Sequence, residues 1–157
     1  MRPVHIAGAA MVAAVLVATG TGAEARTAKH FTCTIQLQTL AVPGTSGAEE
    51  FGTVACDRVF GKGVEHDPEV TLTPTTPTTG TGTGPYKQYF NKGTIRGKFT
   101  LAYTITPPAA ATFTGTATIS GGTGAYKHVR GSAKLTCNTA DGGTHTTCTE
   151  EVTLTHT

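Results

Sequence analysis

The sequence predicts a single small all-β domain, an antiparallel sheet that closes into a barrel and is stapled by disulfides. Three observations carry this reading. Apolar and polar residues alternate with a period of two over most of the second half of the chain. Thr and Gly are abundant, whereas Trp is absent and both Met residues, Met1 and Met11, lie near the start. Four cysteines follow a leader of export type.

The leader comes first. Arg2 gives a short basic start, Ile6 to Ala18 is small and apolar, and Ala23-Glu24-Ala25 supplies a small–any–small cleavage pattern. Residues 1–25 therefore read as a secretory signal peptide cut before Arg26, leaving 26–157 as one domain with an extracellular address. The apolar run is shorter than the ~20 residues of a bilayer span, and no later segment approaches that length.

The strands follow in order. In 31–40, Phe31, Cys33, Ile35 and Leu37 share one face and Thr32, Thr34, Gln36 and Gln38 the other. After the loop 41–50, a second strand is expected over 51–60, with Val54, Cys56 and Phe60 together and Arg58 charged among them. Residues 61–69 read as turns and 70–73 as a short strand. The Pro-, Thr- and Gly-rich stretch 74–85 offers little to bury and reads as a long exposed loop. The most regular element is 93–105, with Ile95, Gly97, Phe99, Leu101, Tyr103 and Ile105 on one face, stopped by Pro107 and Pro108. Next comes 111–120, with Phe113, Gly115, Ala117 and Ile119 inward and threonines outward. Across the turn 121–124 lies 126–137, which sets Val129, Gly131, Ala133, Leu135 and Cys137 together. The last strand, 144–154, faces Cys148, Val152 and Leu154 the same way.

Short Gly-rich turns make successive strands antiparallel neighbours. Gly97, Gly115 and Gly131 fall on the apolar face inside strands. That placement lets a sheet coil and close, and it favours a barrel over a two-sheet sandwich. Cys33, Cys56, Cys137 and Cys148 lack zinc-ligand spacing and read as two disulfides. Consecutive strands and shared parity predict Cys33–Cys56 and Cys137–Cys148, the second pair centred on Gly142 and Gly143. Cys33–Cys148 is the competing link, since first and last strands can meet in a closed barrel.

The run 119–135, with 93–101 and 113–119 before it, resembles the dirigent-protein and allene-oxide-cyclase barrel superfamily. The likeness rests on Gly121, Gly122, Thr123 and Gly124, the aromatic Tyr126, and Gly131, and covers about residues 93–135. It implies a calycin-like barrel of about eight antiparallel strands with an apolar lumen. Plant members steer phenoxy-radical coupling or cyclise a fatty-acid epoxide. The four cysteines and the 74–85 stretch depart from those plant patterns, so no catalytic residue carries over.

Chemistry-bearing motifs are few. The formal net charge is +2 and the cations are scattered, without the basic, aromatic-studded stripe of a nucleic-acid binder. Neither 80–87 nor 121–127 has phosphate-loop spacing, no Ser sits in a nucleophile elbow, and the mature histidines show no metal-ligand spacing. No cofactor or metal is expected. Two charges break the apolar parity: Arg58 and Glu150. Either they face the lumen, as ligand anchors or acid–base groups, or they lie at the rim or across a register-shifting bulge. The expected function is a non-catalytic binder of a small apolar molecule or an extracellular structural protein. The rival is an isomerase or cyclase that shapes a reactive substrate in its lumen.

Overall fold

The computed structural model describes residues 28–43, 47–57 and 59–156. The expected leader 1–25 and Arg58 lie outside the described residues. Eight strands form one closed antiparallel barrel in chain order. They are β1 (Lys29–Ala41), β2 (Ala48–Cys56), β3 (Gly61–Pro74), β4 (Thr79–Phe90), β5 (Gly93–Thr106), β6 (Ala110–Gly122), β7 (Arg130–Thr139) and β8 (His145–His156). Closure comes from β8 pairing antiparallel with β1. A single 3-10 turn, Gly124–Tyr126, sits between β6 and β7.

The second half forms as its periodicity demands, with two corrections. Ile105, expected inward, is exposed where β5 reaches the barrel's end, and the strand expected from 126 begins at Arg130 because 124–126 form a 3-10 turn. Ile95, Phe99, Tyr103, Ala117, Ile119, Ala133, Leu135, Cys137, Cys148, Val152 and Leu154 all turn into the core. The cysteines face each other in register and are joined as Cys33–Cys56 and Cys137–Cys148. Gly142 and Gly143 close the β7–β8 turn at φ 74° and 92°, a conformation that side chains with a Cβ resist.

The first half differs from expectation in three places. The strand expected over 51–60 runs Ala48–Cys56, so that 48–50 is strand rather than loop and Phe60 lies in the β2–β3 turn. The segment 61–69 belongs to β3 rather than to turns, and 79–85 is the start of β4 rather than part of an exposed loop 74–85. Only the short link between Pro74 and Thr79 is hairpin tip, held by Thr75 and Thr76 amides donating to the Thr79 carbonyl. The physical reason lies in the alternation Thr-Gly-Thr-Gly-Thr-Gly over 79–84, itself a period of two. Glycines face inward because aromatic rings occupy the space their side chains would take. Gly80, Gly84, Gly97 and Gly63 lie opposite Tyr103, Phe99, Tyr86 and Phe90 in register. A Cβ at Gly80 would come within 2.5 Å of the Tyr103 hydroxyl, and one at Gly97 within 2.5 Å of the Tyr86 ring. Rings over strand glycines thus build much of the β3–β5 wall.

In β3 the register against β4 shifts between His66 and Thr71, around Pro68. Pro removes a ladder donor, and such an irregularity reverses which residues face inward. Glu65 and Asp67 point inward before it, Val70 after it, and Val64 is exposed. Outside, threonines pair across strands, as in Thr79 with Thr104 and Thr100 with Thr116. No helix among the described residues is long and apolar enough to cross a membrane.

Candidate functional site

The two ends of the barrel are built differently. At the end holding the β2–β3 and β6–β7 connections, four rings stack into a plug. Phe60 lies 5.1 Å from Phe31, 5.3 Å from Phe90 and 5.0 Å from Tyr126, centroid to centroid. Tyr126 reaches this place because the 3-10 turn folds it back, and Val129 and Leu154 bury beside it. The opposite end is a mouth. A cavity of about 270 Å³ lies there between Leu72, Tyr103, Ile105, Pro108 and Phe113. It shares Glu50, Leu72, Phe113 and Thr146 with a narrower throat of about 50 Å³ that runs into the lumen.

The throat has two faces of opposite chemistry. Ile35, Leu37, Phe99, Leu101 and Leu135 form an apolar wall. Glu50 from β2, with Glu65 and Asp67 from β3, forms a carboxyl face. Glu65 and Asp67 are buried, and Asp67 is only 2% exposed. Deeper still, Gln88 of β4 and Glu150 of β8 meet across the barrel, each 3% exposed. The Gln88 side-chain amide donates to Glu65 Oε2 at 2.6 Å and to Glu150 Oε2 at 3.3 Å. Since β4 and β8 are half the ring apart, this bridge spans the lumen and floors the cavity. Glu50 accepts a hydrogen bond from the Thr39 hydroxyl at 2.9 Å. Asp67 Oδ1 is buried and has no hydrogen-bond partner. Leaving such an oxygen unsatisfied costs about 1–3 kcal/mol.

Burial in a low-dielectric lumen penalises the charged forms of these acids, and their mutual repulsion adds to it. Burial, with Glu50 and Glu150 nearby, pushes the Asp67 carboxyl up to about 8. Burial pushes Glu150 to about 7, against the opposing effect of the Gln88 hydrogen bond. Burial, then Asp67 and Glu150, raises Glu65 well above the ordinary carboxylate range. Glu50 is raised by burial and pulled back by Thr39. Burial and the same carboxyls push the Tyr86 phenol up; its hydroxyl donates to the Thr118 carbonyl at 3.2 Å. Asp67 and Glu150 therefore titrate near neutrality, and their charges influence those of Glu65 and Glu50.

Strand parity places Glu150 in the lumen, and it is found there. Its hydrogen-bond partner is Gln88. The other charge singled out by parity, Arg58, lies outside the described residues. Glu65 and Asp67 escape a reading of 61–69 as turns, yet a signal existed. Gly63, Glu65 and Asp67 alternate with Val64 and His66, an amphipathic strand whose polar side faces in. Among the described residues no group of three or more His, Cys, Asp or Glu is placed to hold a metal ion. The chain matches no protein-family model, no curated protein and no solved structure.

Proposed function

We propose that the protein is exported and that its lumen binds a small molecule with an apolar body and a polar end. The observation that carries this reading is Asp67 Oδ1, an unsatisfied buried carboxyl oxygen on a throat that opens to the mouth. Solid packing or a closed hydrogen-bond network would serve a purely structural barrel better, because unpartnered buried polar groups destabilise. The apolar mouth, lined by Tyr103, Ile105, Pro108 and Phe113, takes the body of the ligand and the carboxyl face of the throat orients its polar end, the usual division of labour in such sites. The mouth cavity falls just below the ~300–1,000 Å³ of drug-sized pockets, so the ligand is small. The leader supports export, and two disulfides suit an oxidising compartment.

Native mass spectrometry of the protein secreted under its own leader tests this. A stoichiometric small molecule, released on denaturation, is expected. Bare protein that takes up no small amphiphile returns the lumen to a structural role.

A second reading has its own support. Asp67 and Glu150 sit close to neutrality, where a carboxyl can both give and take a proton, as acid–base catalysis requires. The resemblance to dirigent proteins and allene oxide cyclase favours the same reading, an isomerase or cyclase acting on the bound molecule. Ligand recovered unchanged after prolonged incubation supports the binder, and conversion that stops in Asp67→Asn supports the enzyme.

A further inference from the structure

We infer that the polar end of the ligand is a protonated amine, so that the barrel takes small organic cations carrying an apolar tail. This rests on the binding reading above and names the ligand class for the same site. Three carboxyls from two neighbouring strands, Glu50, Glu65 and Asp67, line one throat. Asp67 Oδ1, in a residue 98% buried, points to a donor that the described protein does not supply.

A throat of about 50 Å³ admits a head of one or two heavy atoms, given that one water occupies ~30 Å³ of liquid. An ammonium brings three donors and a positive charge in that space, matching three acceptors. A hydroxyl brings one donor and leaves the acids competing for protons. A carboxylate brings only acceptors and like charge, which is costly in a desolvated site.

The groups facing the throat from the other strands bear this out. On β1 they are Ile35 and Leu37, on β4 Gly82, on β5 Phe99 and Leu101, on β6 Phe113 and on β7 Leu135. Tyr103 stands at the mouth, and Tyr86 and Glu150 lie deeper. None of these side chains is cationic, and Arg58 lies outside the described residues. Asp67, pushed up to about 8, holds its proton at neutral pH when the site is empty, and an entering ammonium expels it to the buffer. Its affinity rises as pH climbs through about 7–8.

The test is calorimetry of the mature protein at mildly alkaline pH with three probes of one tail: octylammonium, octanol and octanoate. Octylammonium is expected to bind at least about tenfold tighter than octanol, with octanoate weakest. Only octylammonium should release protons, seen as a binding heat that depends on the buffer's ionisation enthalpy. Asp67→Asn should lower octylammonium affinity by about tenfold to a hundredfold and octanol affinity by a far smaller factor, since octanol loses one neutral hydrogen bond and no charge pairing. Glu50→Gln, at the half-buried mouth, gives a milder loss of the same sign and serves should Asp67→Asn fail to fold. Octanol binding as tightly as octylammonium overturns the amine inference and leaves the apolar site standing. Octanoate binding tightest, as a cation at Arg58 would produce, overturns it too. If none of the three binds, the binding reading falls with it.

Discussion

The plugged end and the open end of this barrel are lined from the same eight strands, yet one is finished and the other is not. At the plug, Phe31, Phe60, Phe90 and Tyr126 fill the lumen ring against ring. Toward the mouth, the lumen keeps space, four acids and an unsatisfied oxygen. The Gln88 bridge to Glu65 and Glu150 is the boundary between them. The contrast teaches where the cost of folding falls: the closed half packs ring against ring, and the open half carries the cost of a buried, unsatisfied carboxyl oxygen.

The largest effect should therefore come from the plug. Phe90→Ala removes a ring that two others lean on and leaves a cavity, at a cost of about 3–5 kcal/mol by chemical denaturation. Phe113→Ala, partly buried at the mouth, should cost only about 1–2 kcal/mol. Equal losses would erase the distinction between the ends.

Next come the disulfides. Replacing either pair by alanines should cost about 2–4 kcal/mol, with Cys33–Cys56 the larger because it closes the longer loop, a separation of 23 residues against 11. Denaturant midpoints of the two double variants measure this directly. A loss confined to one pair would show that only its strands need the staple.

The third prediction concerns pH. Asp67, Glu65, Glu150 and Glu50 all hold protons more tightly in the fold than ordinary carboxyls do. Their contribution is thus full below about pH 4, and that of Asp67 and Glu150 is lost as pH rises through about 7–8. Asp141 opposes them, because hydrogen bonds from His145 and Thr139 hold it down to about 2. Its contribution is present above about pH 4 and fades as pH falls toward 2. The melting temperature of the empty protein should peak in mildly acid solution and drop by several degrees toward about pH 9, at roughly 4 °C per kcal/mol. Asp67→Asn should flatten that drop. A melting temperature independent of pH in the wild type would show that the acids are solvated.

How much of this was legible in the sequence divides along the same line. The alternation in 93–105, 111–120 and 144–154 was plain because the residues these strands turn inward are mostly apolar, at the plug and at the throat alike. The cysteine pairing followed from parity and turn position. In β3 and β4 the signal was inverted or hidden. Val64 is exposed while Glu65 and Asp67 are buried, so a search for apolar faces reads Gly61–Glu69 as turn. In Thr79–Gly84 the inward residues are glycines, Gly80 and Gly84 covered by the Tyr103 and Phe99 rings of β5, and a composition of Thr, Gly and Pro looks like loop. Both failures fall where the lumen departs from simple packing, which is where a site breaks local rules. Glu150 was legible from parity; its partner Gln88 was not, because no parity rule reports contacts across a closed barrel.

Gly82 gives the most direct test of the central claim, that the open half of the lumen is the ligand's place. It lines the throat, and a Cβ there meets just Leu72 Cδ2, at 3.1 Å, the end of a flexible and half-exposed side chain. Its neighbour Gly84 has no such room, with the Glu69 carbonyl at 2.4 Å and the Phe99 ring at 2.8 Å from its Cβ position. Gly82→Val should fold, melt no lower than wild type because valine favours strands, and fill the throat. Titration of that variant with octanol is predicted to show binding weakened at least about tenfold, as expected when a side chain takes the ligand's space. Octanol bound as tightly as by the wild type would place the ligand outside the lumen and contradict the account.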